Sequence, residues 1–231
     1  MKLSIIIPVF NEKLTILEIL KRVEGLKDIL KQIIIIDDGS TDGTFQLINK
    51  FNFISEHKII RHRSNSGKGS CIKSAQEYVS GDIVIIQDAD LEYDPNDYKI
   101  ILDKIIKSKK KVVYGSRVLN KKRYNQKNFT SNFRVFANHI LTILTNILFN
   151  QKLTDAHTCY KAFEAEVFKN IKLSEDDFAF CPEITAKISK LGLKILEVPI
   201  GYFGRSYSEG KKISFYDGIR AVLVLFKYRI F

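Results

Sequence analysis

The stretch VIIQDADLEYDP, Val84–Pro95, decides how the rest of the chain is read. It opens as an uninterrupted apolar run and ends in Asp88, Asp90 and Glu92, three acids at every second position with no basic residue among them. A short apolar run bounded by polar residues reads as a strand buried on both faces. Like charges so close repel one another and are costly unless something positive sits between them. The spacing therefore predicts a strand with a cation site at its carboxyl end.

Working outward, the same pattern recurs. LSIIIPVF (Leu3–Phe10), IIIID (Ile33–Asp37), HKIIR (His57–Arg61) and KVVYG (Lys111–Gly115) read as four further strands. Between them, residues 13–25 carry helical spacing through Leu14, Leu17, Leu20 and Val23, and Ser40 or Thr41 is placed to cap a second helix holding Phe45, Leu47 and Ile48. Gly69–Val79 and Pro95–Lys107 supply two more, the last opened by proline in its first turn. Strand and helix alternate five times. That predicts an α/β fold with a mostly parallel sheet, whose ligands gather at the carboxyl ends of the strands. After residue 116 the rhythm breaks into a basic loop (Val118–Thr130) and an apolar helix (Phe133–Phe149). Short strands follow near Cys159–Phe163 and Lys194–Val198 around a helix at Pro182–Leu191, and Ile213–Phe231 reads as a terminal helix. Without a repeat or linker, residues 1–231 read as one domain, with a nucleotide-sized half (1–117) and an acceptor-sized half (118–231).

The 231 residues are 45% apolar and 11% aromatic, ample for a buried core. Cys71, Cys159 and Cys181 are odd in number and lack CxxC spacing, which argues against disulfides or zinc and for a reducing compartment. The N-terminal apolar run is too short and too interrupted for a signal peptide, and no run reaches the roughly 18 apolar residues of a membrane span. The net charge of +11 is concentrated: Lys104–Arg134 holds eleven Lys or Arg and no acid. That points to an anionic partner. The basic run has too few interleaved aromatics for specific nucleic-acid binding. NSGKGS (Asn65–Ser70) resembles a P-loop only superficially, because His62 stands where the first glycine belongs. A glycine-rich turn opening a helix, with Lys68 near a phosphate, is the expectation. His57, His62, His139 and His157 show no ligand spacing.

Every polar cluster falls at a strand end: Pro8-Val9-Phe10-Asn11-Glu12, Asp37-Asp38-Gly39-Ser40, Asp88-Ala89-Asp90-Leu91-Glu92 and Gly115-Ser116-Arg117. Oxygen ligands without His or Cys favour Mg²⁺ or Mn²⁺, which bridges to substrate phosphates. An acidic helix N-terminus would explain Glu92, Asp94 and Asp97, but not Asp88 and Asp90.

The ordered set PVFNE, DDGSTDGT, NSGKG, DADLE and GSR resembles glycosyltransferase family 2, with its GT-A fold and inverting chemistry. The second half, through LTDAHTCYKAF, EVPIGYFGR and DGIRAVLVLFKYR, is similar to the branch that makes dolichyl- and polyprenyl-phosphate sugars. The resemblance implies that Pro8, Asn11, Glu12 and Asp38 hold the nucleoside, with Val9, Ala89 and Lys68 beside the donor. It implies that Asp88, Asp90 and Glu92 hold Mg²⁺ or Mn²⁺. It also sets Arg117 and Arg134 near the donor diphosphate and acceptor phosphate, and Arg205 and Lys211 on the lipid phosphate. A match to Asp155 carries no role. A phosphate acceptor needs cations rather than a base, whereas a saccharide hydroxyl needs a carboxylate base, for which Asp155, Asp177 and Glu183 are candidates. A sugar nucleotidylyltransferase fits poorly, since its first strand should lead into a glycine-rich, arginine-containing loop. GDP-mannose and UDP-glucose both remain open as donors, as does a donor of N-acetylglucosamine. Many relatives of the branch carry transmembrane helices after this region and none is read in residues 1–231, so peripheral contact with the cytosolic face of a membrane is expected, and a membrane-anchoring partner protein is a further expectation. The two apolar helices are left open between core and membrane interface.

Overall fold

The computed structural model describes residues 1–120, 129–205 and 215–230, with the backbone alone at 129–134 and 215. Seven strands form one sheet: β1 (Leu3–Val9), β2 (Lys31–Asp37), β3 (Glu56–Arg61), β4 (Ile83–Ile86), β5 (Val112–Ser116), β6 (Lys161–Glu164) and β7 (Leu196–Pro199). Their order is β3-β2-β1-β4-β6-β5-β7. The register sets Val9 beside Asp37 and Ile5 beside Ile85, so the loops after β1, β2 and β4 leave from one edge. Only β6 runs against its neighbours, β4 on one side and β5 on the other. Ile5, Ile6, Ile7, Ile33, Ile34, Ile35 and Ile36 are fully buried, because helices cover both faces of a parallel sheet and leave no solvated side.

Four helices follow the first strands: α1 (Ile16–Glu24), α2 (Thr44–Lys50), α3 (Lys68–Ala75) and α4 (Tyr98–Ser108). Two local expectations change. Helix α1 starts at Ile16, not residue 13, because the Glu12 carbonyl takes the amides of Thr15 and Ile16 and spends residues 12–15 on a turn. Ile16, Ile19, Leu20 and Val23 face the core, while Leu14 is 96% exposed. Ser40 and Thr41 precede α2 without capping it; the Asp42 carboxylate accepts from the Thr44 amide at 3.0 Å instead. The expected Gly69–Val79 helix is α3 followed by a 3₁₀ turn at Gln76–Tyr78, and a second 3₁₀ turn at Pro95–Asp97 precedes α4.

Beyond β5 come α5 (Phe129–Phe149), α6 (Ala165–Asn170), α7 (Phe180–Lys190) and α8 (Phe215–Ile230). Helices α5, α7 and α8 share a second core of Leu141, Phe149, Ala186, Val224, Leu225 and Tyr228. The other sides of α5 and α8 remain exposed, as stripes through Phe136, Ile140, Ile143 and Ile147 and through Tyr216, Ile219, Leu223, Phe226 and Ile230. Both helices therefore have a core face and an uncovered apolar face. No helix among the described residues is long and apolar enough to cross a membrane.

Candidate active site

The first three parallel strand ends are stitched together by short polar contacts. Past Pro8 and Val9 at the end of β1, Asn11 takes a left-handed backbone, φ 50°, that turns the chain across to the β2 loop. There its amide donates to Ser40 Oγ at 2.9 Å and its Oδ1 accepts from the Thr41 amide at 2.9 Å. Asp38 accepts from the amides of Ser66 (3.0 Å) and Gly67 (2.8 Å) and pairs with the His62 ring at 2.7 Å. Its carboxylate thus anchors the NSGKG turn. Asp37 faces Arg61 Nε at 3.2 Å through one oxygen, while the other is buried without a hydrogen-bond partner.

That anchoring also explains the glycines of the turn. Gly67 adopts φ +95°, and a Cβ there would stand 2.5 Å from the Asp176 carbonyl oxygen. A Cβ on Gly69 would collide with the Glu175 carbonyl oxygen. The N-terminus of α3 is consequently pressed against residues 175–177, where the Ser70 amide donates to the Asp176 carbonyl at 2.9 Å. Lys68 is carried inward and its ammonium pairs with Asp88. Burial alone would weaken that ammonium's hold on its proton, but Asp88 outweighs it and keeps Lys68 well above the ordinary lysine range.

Past Ala89, buried in the same loop, the DADLE acids meet the chain's later segment. Arg205 donates to Glu12 with both terminal nitrogens at 3.1 Å, and to Asp90 at 3.1 Å. Its backbone amide donates to Glu92 Oε1 at 2.7 Å, and the Tyr202 hydroxyl donates to Glu92 Oε2 at 2.9 Å. Burial, then the charges of Asp88 and Glu92, push the Asp90 carboxyl up to about 7 despite Arg205. The cluster holds more negative charge than its two basic residues neutralise.

Arg117 directly follows strand β5 and is half-buried and gripped by Asp155. Arg117 Nε and a terminal nitrogen donate to its two oxygens at 2.7 and 2.8 Å, and the Arg117 amide adds a third bond at 3.0 Å. Burial would raise the Asp155 carboxyl, but Arg117 holds it below the usual carboxylate range. The guanidinium also lies 5.1 Å over the Tyr202 ring, which links it to the Glu92 side of the site.

The chain matches the profile of glycosyl transferase family 2 over residues 4–172. It belongs to that family. This glycosyltransferase is 27% identical over 245 residues to the dolichyl-phosphate beta-glucosyltransferase ALG5A of Trichomonas vaginalis, an overlap covering 99% of this chain and 73% of that protein. It is 27% identical over 236 residues to the dolichol-phosphate mannosyltransferase of Pyrococcus furiosus, covering 99% of this chain and 64% of the relative. Its fold matches glucosyl-3-phosphoglycerate synthase from Mycobacterium tuberculosis, solved with Mn²⁺, UDP and glucosyl-3-phosphoglycerate. The TM-score there is 0.73 at 18% identity, over 98% of this chain and 79% of that one. The expected GT-A architecture is the one found.

The carboxylates of the glycosyltransferase suit a hard dication, since they are oxygen donors whose mutual repulsion is only partly offset. One further grouping, Asp38, His62 and Cys71, brings its ligating atoms within 4.8 Å of one another. No other such trio among the described residues comes so close, the DADLE acids included. In that trio, however, the Asp38 oxygens already serve the Ser66 and Gly67 amides and His62, and His62 Nε2 faces Ser74 Oγ at 2.9 Å. Burial and Asp38 also push the Cys71 thiol far up. The trio is a hydrogen-bonded anchor.

Two of the expected phosphate-binding residues, Lys211 and the side chain of Arg134, lie outside the described residues. The remaining expected residues converge on the rim, and the structure adds His62, Tyr202 and Glu197 to them. His62 showed no ligand spacing, yet it bridges Asp38 and Ser74. Tyr202 and Glu197 sit in EVPIGYFGR, where no spacing marks what the side chains touch.

Proposed function

We propose that this glycosyltransferase moves one hexose, mannose or glucose, from GDP-mannose or UDP-glucose to a polyprenyl phosphate, with inversion at the anomeric carbon. The observation that carries the reading is the state of Asp155. The acid nearest the rim arginine has both oxygens committed to Arg117 and is held ionised and buried. A base for a sugar hydroxyl needs a free oxygen near the acceptor. Asp177 and Glu183 are committed as well: Asp177 to the Ala179 amide and Arg220, Glu183 to the amides of Ser174 and Glu175, Lys187 and Tyr228. A phosphate acceptor requires no base, because its oxygen is already anionic.

In this reading residues 1–117 hold the donor and 118–231 the acceptor. Pro8, Asn11, Glu12 and Asp38 line the nucleoside side. Asp88, Asp90 and Glu92 would hold Mg²⁺ or Mn²⁺, which supplies charge stabilisation to the departing diphosphate. Lys68 adds a cation beside Asp88. Arg117 and Arg205, with Arg134 and Lys211, hold two anionic substrates together. An acceptor phosphate oxygen attacks the anomeric carbon, the bond from that carbon to the diphosphate oxygen breaks, and the diphosphate leaves with the electron pair. No proton is transferred. The apolar faces of α5 and α8 lie in the headgroup layer of a membrane that supplies the acceptor.

The test presents each nucleotide sugar with Mn²⁺ to a polyprenyl phosphate and, separately, to the same polyprenol without phosphate. Labelled sugar should enter the organic phase only with the phosphate, and EDTA should abolish it. Equal transfer to the free alcohol or to a soluble saccharide would overturn the reading.

A further inference from the structure

Asp155 sits in a stretch, residues 151–160, without regular secondary structure. A loop carboxylate holds a guanidinium in one orientation only if the loop itself is fixed. Three strand residues fix it here. Glu197 on β7 accepts from the Thr154 amide at 2.7 Å, the Thr154 hydroxyl at 2.8 Å and the Asp155 amide at 2.9 Å. Ser116, the last residue of β5, meets the Thr154 hydroxyl at 2.7 Å through its own Oγ. Lys161, fully buried at the start of β6, donates to the carbonyls of Ala156 and Thr158 at 3.0 and 2.5 Å. Strands β6 and β7 flank β5 on its two sides. The turn over Arg117 is thus tied down by the neighbours of the strand that presents Arg117.

Glu197 is the costly member of this set. It is a half-buried carboxylate next to another, and the burial it has pushes its carboxyl up despite the bonds it accepts, with the charge of Asp155 adding to the rise. A charge drawn even partly out of water is a poor way to gain stability. Only an acceptor with several lone pairs takes two adjacent amides and a hydroxyl at once, and that demand comes from the turn that aims Asp155.

We propose that Glu197 is a positioning residue of the transfer reaction, acting through Thr154 and Asp155 to hold Arg117 in the orientation that meets a substrate phosphate. The role of Arg117 rests on the function proposed above; the claim about its orientation does not.

The test uses Glu197→Gln, which leaves the turn one good acceptor instead of a carboxylate, together with Thr154→Val and Thr154→Ser. The first measurement needs no substrate: the hydrogen exchange of the Arg117 Nε–H, followed by NMR and assigned with Arg117→Lys. Protection should fall at least tenfold in Glu197→Gln and Thr154→Val and be retained in Thr154→Ser, while amide protection in β1 and β2 stays unchanged. The second measurement is transfer: kcat should fall at least tenfold in the same two variants, with recovery in Thr154→Ser. Unchanged Arg117 protection in folded Glu197→Gln and Thr154→Val overturns the proposal. So does a loss of protection spread equally over β1 and β2, the mark of a merely structural role. If no polyprenyl phosphate accepts sugar, the exchange result still decides the positioning claim, and only the proposed function fails.

Discussion

Asp90, half-buried, and Asp155, buried, are shifted in opposite directions by their surroundings. Asp90 sits among more acids than bases, and its carboxyl rises to about 7. Its charge is therefore unfavourable on balance in the metal-free fold. Asp90→Asn should stabilise the protein by about 1–3 kcal/mol at pH 8 without metal. The same variant should lose the Mn²⁺-dependent rise in melting temperature that a nucleotide sugar gives the wild type, a rise worth about 2.7 kcal/mol at a hundredfold excess over Kd. A melting series with and without EDTA reads both effects; destabilisation of the metal-free variant would count against the cation site. Asp155 is shifted down by Arg117. Its contribution is complete above the ordinary aspartate pKa near 3.9 and is lost as pH falls through the lower folded value. Asp155→Asn should thus cost about 3–5 kcal/mol at neutral pH by leaving a half-buried guanidinium without its anion. Denaturant titrations of variant and wild type should converge as the pH drops below about 4.

At the scale of elements, the first half was legible because parallel strands announce themselves as apolar runs ending in polar clusters. Both Asp88 and Arg117 follow strands whose carboxyl ends meet the rim, so sequence reading found them. Strand β6 left the role of Asp155 unread for the opposite reason. It runs antiparallel, so the residues that reach the rim precede it, and Asp155 comes before the apolar run rather than after it. Short α6 escaped notice since six residues carry too little periodicity. The Asp155–Arg117 pair spans 38 positions, and no spacing rule connects them. The NSGKG turn was read correctly as a turn, but its glycines answer to a contact with residues 175–177, far along the chain. Gly69→Ala should therefore cost about 2–3 kcal/mol and draw Lys68 away from Asp88. Weakened nucleotide-sugar affinity, with the Mn²⁺-free protein still folded, is the expected result by calorimetry; wild-type affinity would show that Lys68 is not held from there.

The molecule as a whole is basic, with a formal net charge of +11, and it leaves two apolar stripes uncovered on adjacent helices. Residues 130–149 contain no acid, and α8 contains only Asp217 in its first turn. Binding to vesicles containing anionic lipid should fall at least tenfold in Ile143→Glu/Leu223→Glu, at unchanged melting temperature, since both residues are exposed. Sedimentation with vesicles checks it; equal binding of the variant would assign the attraction to charge alone. The reversed strand has a consequence at this scale too. By lying between β4 and β5 it makes their rim loops start two strand spacings apart, about 10 Å. That is close to the Debye length at ordinary salt. Under the function proposed above, strand β6 is thus a spacer that would hold two anionic substrates about one screening length apart, where their mutual repulsion is weakened but not abolished.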